Sequence, residues 1–373
     1  MNENKNRTGL SRRDFLKLSS AATLTAVAGY ALYEYQPWLS YNEQSNLTWR
    51  PMVKETNTPP QMRELVRYAT LAANGHNTQP WKFAIKENAI EIHPDFSRQL
   101  PAVDPQNREL WISLGCALEN LIVAARATGF TPEVTYPDMA DFINVQLTAD
   151  TPLESPLFKA IPLRQNTRSE FDGQPVVVTD LDQIQSPTLE PGIGVRLITN
   201  PAALEAVVEY VNQGNLSQYT DPSFIDELIY WLRFNKKDAL ATLDGLYSRC
   251  SGNPEVPGWL GRMFVAGTKP QQQADIDAAK LRSSPGAIVI ASEADDKSAW
   301  VRTGQVYERL ALKMTSLNIK SAFLNQPIET AELRSQFQNA VGLDTSLPQL
   351  LVRFGYAEAM PRSLRRPVEA VLL

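Results

Sequence analysis

Few side chains in this sequence can do acid–base or metal chemistry. Two histidines (His76, His93) and two cysteines (Cys116, Cys250) stand far apart in 373 residues, so neither a closed zinc site nor a disulfide framework is expected. A Ser-His-Asp hydrolase would have to draw on one of those histidines, and the chain has no Gly-x-Ser-x-Gly turn. Amides and guanidinium groups, by contrast, occur in clusters. Asn74-Gly75-His76-Asn77-Thr78-Gln79-Pro80-Trp81 is rich in donors and acceptors for a planar heterocycle. Arg164-Gln165-Asn166-Thr167-Arg168 sets two arginines four apart, on one face if helical, which suits a phosphate or other dianion; an exposed charged helix gives the same string. Arg362, Arg365 and Arg366 make a third basic group, which also reads as a solvated tail. The chemistry is therefore expected from a bound organic cofactor, with no catalytic protein residue and no metal ligand nominated.

The elements that must position these groups show a repeat. Asn107 to Gly129 carries Leu110, Leu114, Ala117, Leu118, Leu121 and Ala125 at helical spacing, and Ser298 to Asn318 does the same through Trp300, Gly304, Tyr307, Ala311 and Met314. The two segments align without a gap. Trp111 matches Trp300, Gly115 matches Gly304, Glu119 matches Glu308 and Leu121 matches Leu310, each pair 189 residues apart (300 − 111). A glycine at that place lets a partner helix or ligand approach the backbone closely. Pro60 to Ala73 reads as a further helix. Trp81–Ile85, Ala89–His93, Phe142–Leu147, Gly286–Ala291 and Gln349–Phe354 read as strands. The fold class expected is α+β, a duplicated unit of helix-covered sheets, with a helical insertion over residues 201–282 that either covers something or is an ordinary helical subdomain with no ligand beneath it. Residues 41–150 form the first half and 151–373 the second.

With 43% hydrophobic residues the chain can bury a full core, and 36 basic against 41 acidic residues leave a net charge of −5. Nucleic acid is not an expected partner. Ser11-Arg12-Arg13-Asp14-Phe15-Leu16-Lys17, followed by an apolar run to about Leu32, has the pattern of a twin-arginine export signal within residues 1–40. Ala26-Val27-Ala28 offers a cleavage site, and an uncleaved segment would anchor the chain to a membrane. The expected place is the periplasm or outside the cell, with the twin-arginine machinery as a partner. In such an oxidising compartment Cys116 and Cys250 could pair, although Cys116 lies on an apolar helical stripe and reads as a buried free thiol.

Taken together, Asn-x-Gln-Pro-Trp before a strand, the arginine motif ending at Phe171 and the terminal Arg-Arg-Pro-Val-Glu resemble the nitroreductase-like flavoprotein family. The likeness is to its monomeric, internally duplicated Acg-type branch, which residues 98–105, 108–115, 325–329 and 350–356 also resemble, over roughly residues 60–373 and failing only in the helical insertion. The resemblance implies a nitroreductase-like fold acting as a pseudo-dimer in one chain, and FMN in one site built from both halves. Carried over, Arg164, Arg168 and Arg366 would hold the phosphate and ribityl chain, with Asn166 beside them and Arg365 in reserve. Asn77 and Gln79 would contact the flavin from the other half, with Asn74 and Gly75 lining the turn. Phe323-Leu324-Asn325 falls where family members direct a backbone N–H to flavin N5. The implied function is FMN-dependent oxidoreduction by hydride transfer through N5 to a small acceptor the sequence does not name. A flavin-sequestering protein without turnover is the alternative.

Overall fold

A computed structural model describes residues 38–52, 58–136, 141–185 and 188–373, together with residues 25, 28–30, 32–33 and 36. The twin-arginine string and most of the apolar run lie outside the described residues. Helices are α1 Tyr41–Thr48, α2 Thr58–Thr70, α3 Arg108–Ala127, α4 Pro156–Ala160, α5 Val178–Gln185, α6 Pro201–Thr220, α7 Pro222–Trp231, α8 Lys236–Thr242, α9 Gly258–Ala266, α10 Pro270–Arg282, α11 Lys297–Ser316, α12 Gln326–Glu329 and α13 Ala331–Ala340. Strands are β1 Trp81–Ile85, β2 Ala89–Pro94, β3 Phe130–Thr135, β4 Ile143–Ala149, β5 Ile193–Ile198, β6 Leu232–Arg233, β7 Leu246–Tyr247, β8 Gly286–Ser292, β9 Lys320–Phe323 and β10 Leu347–Gly355.

The duplication is visible in the strand order. One sheet runs β1-β2-β4-β3 and the other β5-β8-β10-β9, every neighbour antiparallel. In each, two strands lead into a long helix, α3 or α11, and two follow it. The helices cross back to back at the paired glycines. A Cβ on Gly115 would lie 2.0 Å from the Val301 carbonyl oxygen, and one on Gly304 would lie 2.0 Å from that of Ile112. Val301 and Ile112 are themselves a 189-residue pair, so the contact is made twice about one pseudo-twofold axis. Only glycine lets the backbones meet this closely. α3 is long and apolar enough to cross a membrane by composition, yet almost all of it is buried in this core.

The insertion separates β5 from β8, where the first half has only a tight hairpin between β1 and β2. It buries a sheet face. On β8, Ile288 and Ile290 pack toward the central helices while Ala287 and Val289 pack with Val207, Val211 and Leu281 of α6 and α10. A strand covered on both faces reads as a continuous apolar run, whereas β3 alternates exposed and half-buried residues because one face meets water. Two arms tie the sheets together, one joining them in sequence and one following β10. Asn166 bridges Ser321 at the edge of the second sheet, and Leu372 bridges Phe83 of β1, whose N–H donates to the Val371 carbonyl (2.8 Å).

Candidate functional site

A cavity of about 640 Å³ lies between the halves beneath the insertion, within the range of small-molecule and cofactor pockets. One wall is the turn after α2, Ala73 to His76, with Glu109, Ile112, Ser113 and Cys116 of α3. Facing it are Asn166 and Arg168 of the connecting arm, Phe323, Leu324 and Asn325 after β9, and Arg353 of β10. The insertion supplies an apolar cover that includes Phe224, Leu228 and Phe264.

Among the described residues, the symmetry counterpart of this cavity along the central helix pair is filled. The α11 positions equivalent to Ser113 and Cys116 are Arg302 and Gln305. Tyr136 packs there, its hydroxyl donating to Gln305 Oε1 (2.8 Å) and its ring lying 4.5 Å from the Arg302 guanidinium.

Six of the eleven nominated residues line the cavity: Asn74, Gly75, Asn166, Arg168, Leu324 and Asn325. Among the described residues, none stands beside the half-buried Arg168 guanidinium as a hydrogen-bond or ion-pair partner, and burial pulls its pKa down. A desolvated cation without a counter-charge is costly and calls for an anion. Beside it His76 is pushed down to about 4, by burial first and then by the Arg168 charge, so its imidazole is neutral at pH 7. His76 Nδ1 and Asn166 Oδ1 are buried without partners. Arg353 fixes the arm: its guanidinium donates to the Thr167 carbonyl (3.2 Å) and the Ser169 carbonyl (2.7 Å), on either side of Arg168, and lies 4.0 Å from the Phe171 ring. Its Nε is left without a partner.

The other five, Asn77, Gln79, Arg164, Arg365 and Arg366, stand behind the wall. The Arg164–Arg168 string is not helical: Arg164 is extended (φ −61°, ψ 135°), and the Thr167 N–H bonds to the Ser321 carbonyl. The two arginines therefore do not share a face. Arg164 Nε pairs with Glu308 (2.9 Å), which also accepts the Ala73 N–H (3.2 Å), and its Nη2 donates to the Leu71 carbonyl. Arg365 donates to the carbonyls of Thr70, Leu71 and Ala72 and to Asn77 Oδ1 (2.7 Å). Both cap the C-terminal end of α2, where carbonyls lack helical partners. Asn77 Nδ2 donates to the Gly245 and Leu364 carbonyls. Gln79 Nε2 donates to the Leu243 carbonyl, its Oε1 accepts the Arg366 N–H, and its carbonyl accepts Arg366 Nη2 (2.7 Å). This scaffold holds a turn in which His76, Asn77 and Gln79 all adopt left-handed φ values of 46°, 54° and 55°, a cost that surrounding contacts must offset. The Leu324 N–H is likewise taken, by the Leu351 carbonyl (2.9 Å), and does not point into the cavity. Cys116 and Cys250 are buried and free.

Sequence reasoning missed Arg353, Glu109 and Glu329. The signal for Arg353 was present, an arginine inside the apolar run Leu-Leu-Val-Arg-Phe.

No protein-family model matches the chain. Two relatives from Mycobacterium tuberculosis (strain ATCC 25618 / H37Rv) align over 325 residues. "Putative NAD(P)H nitroreductase Rv3131" is 28% identical, covering 83% of this chain and 90% of its own length, and "Putative NAD(P)H nitroreductase acg" is 25% identical, covering 83% and 94%. This chain is similar to the Acg-type nitroreductase-like proteins. Among solved structures, a Bacteroides fragilis nitroreductase with bound FMN matches 57% of this chain and 95% of its own (15% identity, TM-score 0.34). The FMN-dependent nitroreductase NfnB of Mycobacterium smegmatis, in complex with NADPH, matches 56% and 94% (13%, 0.36). The duplicated α+β architecture rests on the repeated strand order instead.

Proposed function

We propose that the chain is an FMN-dependent oxidoreductase of the nitroreductase type, acting as a pseudo-dimer within one monomer and exported by the twin-arginine route. The observation that carries the reading is the unpartnered Arg168 guanidinium in a cavity whose lining residues also hold the orphaned buried atoms His76 Nδ1, Asn166 Oδ1, Gln326 Oε1 and Arg353 Nε. Such a donor and acceptor set fits a phosphate-bearing heterocycle. Near full-length similarity to proteins named nitroreductases supports the reaction class. FMN, when bound, supplies hydride transfer at N5.

The chain's own residues bind and orient. Arg168 would hold the phosphate with Asn166 beside it, and Asn74 and Gly75 would line the ring. Neutral His76 offers a hydrogen bond without adding charge. Arg353, Arg164 and Arg365 keep the two walls in place. The apolar cover suits a small organic acceptor and excludes water. Export is supported by Ser11 to Lys17 and by the fact that this route carries folded proteins, so a cofactor inserted beforehand travels with the chain. Flavin storage without turnover draws on the same cover, and reduction of the bound flavin by viologens or nicotinamides separates the two.

The purified full chain should take up FMN and show a flavin absorbance spectrum. Arg168→Ala should weaken retention by about 1.5–3 kcal/mol, the range for a lost charged hydrogen bond, measured by equilibrium dialysis. A colourless wild-type protein that takes up no FMN overturns the reading.

A further inference from the structure

Three carboxyl groups, Asp104, Glu109 and Glu329, surround one guanidinium at the cavity's edge, and Arg108 pairs with Glu109 alone. Asp104 accepts the Leu110 N–H (2.9 Å) at the start of α3, yet burial pushes its carboxyl above the ordinary range, with the helix-end amides opposing that rise. Glu109, 9% exposed, receives Arg108 Nη2 (3.1 Å) and Asn325 Nδ2 (3.3 Å) on one oxygen. Its other oxygen lies 3.8 Å from where a Cβ on Gly75 would be, against the turn that lines the cavity. Glu329 of α12 faces Glu109 across the cavity wall and accepts Gln218 Nε2 (2.6 Å). Arg108 also donates to the Gln349 carbonyl (2.6 Å), the product of a bulge in β10, so its charge is shared. Glu227 of α7 adds a further carboxylate beyond Asp104, held by the Ala102 and Val103 N–H groups. One positive charge cannot hold all of these ionised.

We propose that Glu109, paired with Glu329, is the proton donor of the cavity, a catalytic acid toward an organic acceptor of the quinone class; this rests on the flavin reading above. Burial, then the Glu329 charge, pushes the Glu109 carboxyl well above its ordinary range, and burial raises Glu329 as well, so the facing pair favours sharing one proton over two negative charges. The balance is that of a two-electron reduction. Hydride from the reduced flavin bonds to the acceptor, the Glu109 proton bonds to the acceptor oxygen, and the electron pair of the broken O–H bond stays on the carboxylate. The pair then recovers its proton from water at the cavity mouth.

The test is single-turnover reoxidation of the dithionite-reduced, FMN-loaded protein by menadione, which needs a proton, and by ferricyanide, which takes electrons alone. The ratio of menadione to ferricyanide rate should fall at least tenfold at pH 8 in Glu109→Gln and in Glu329→Gln, with Glu109→Asp recovering part of it, since general acids contribute about 10²–10⁴-fold. A second readout needs no turnover: the apo protein at pH 7 should show the infrared carbonyl band of a protonated carboxyl, lost in Glu109→Gln. A flavin-loaded variant with an unchanged ratio, or a band at full strength in both variants, overturns the proposal alone. A wild-type chain without affinity for FMN overturns it together with the proposed function.

Discussion

The two sides of the central helix pair share one frame and differ in how it is filled. Around α3, small side chains at Ser113 and Cys116 leave a cavity. Around α11, Arg302 and Gln305 with Tyr136 leave none among the described residues. The glycine crossing is made by both helices while the pocket opens beside one. The frame constrains every residue that touches it, because both backbones meet there. The pocket wall constrains only the few residues that a ligand needs.

The largest break in that comparison should come from Arg164→Ala. It leaves Glu308, fully buried, without its counter-charge and should cost about 3–5 kcal/mol by urea denaturation, where a solvated phosphate ligand would cost little stability. Gly304→Ala comes next, at about 3 kcal/mol or more, since the new methyl meets the Ile112 carbonyl on the open and filled sides alike; a change under 1 kcal/mol would deny the close crossing. The smallest concerns the open side only. His76 titrates near 6.5 unfolded and about 4 folded, so its contribution is complete above pH 6.5 and is lost as pH falls toward 4. At most about 3 kcal/mol follows from that gap, and His76→Gln in the FMN-free protein should remove this part of the acid sensitivity.

The frame was legible in the sequence because repetition is a local signal. Four identities at one spacing mark the crossing, and β1, β2, β8 and β10 fall within a residue or two of where alternation or an apolar run places them. β3, β5 and β9 were not expected. β3 carries a proline in its middle, β5 a glycine, and β9 is only four residues long, so none has the pattern of a strand standing alone. The amide turn and Arg168 were legible by residue type. Arg164 and Arg365 were not, since their partners, Glu308 and the carbonyls ending α2, lie 144 residues downstream (308 − 164) and roughly 295 residues upstream. Nothing near an arginine in sequence tells whether a distant carboxylate already holds it.

The arm that follows β10 ties the pocket to a distant stretch of sequence. Arg365 caps α2 and fixes Asn77, and Val371 and Leu373 pair with Phe83, so the front wall of the pocket depends on residues 288 positions away (371 − 83). Without that arm the chain has both long helices and nearly all of its strands, but a turn with nothing to hold its left-handed backbone. Contacts of such separation carry the largest loop-closure cost, so the frame can form first and the binding wall sets last.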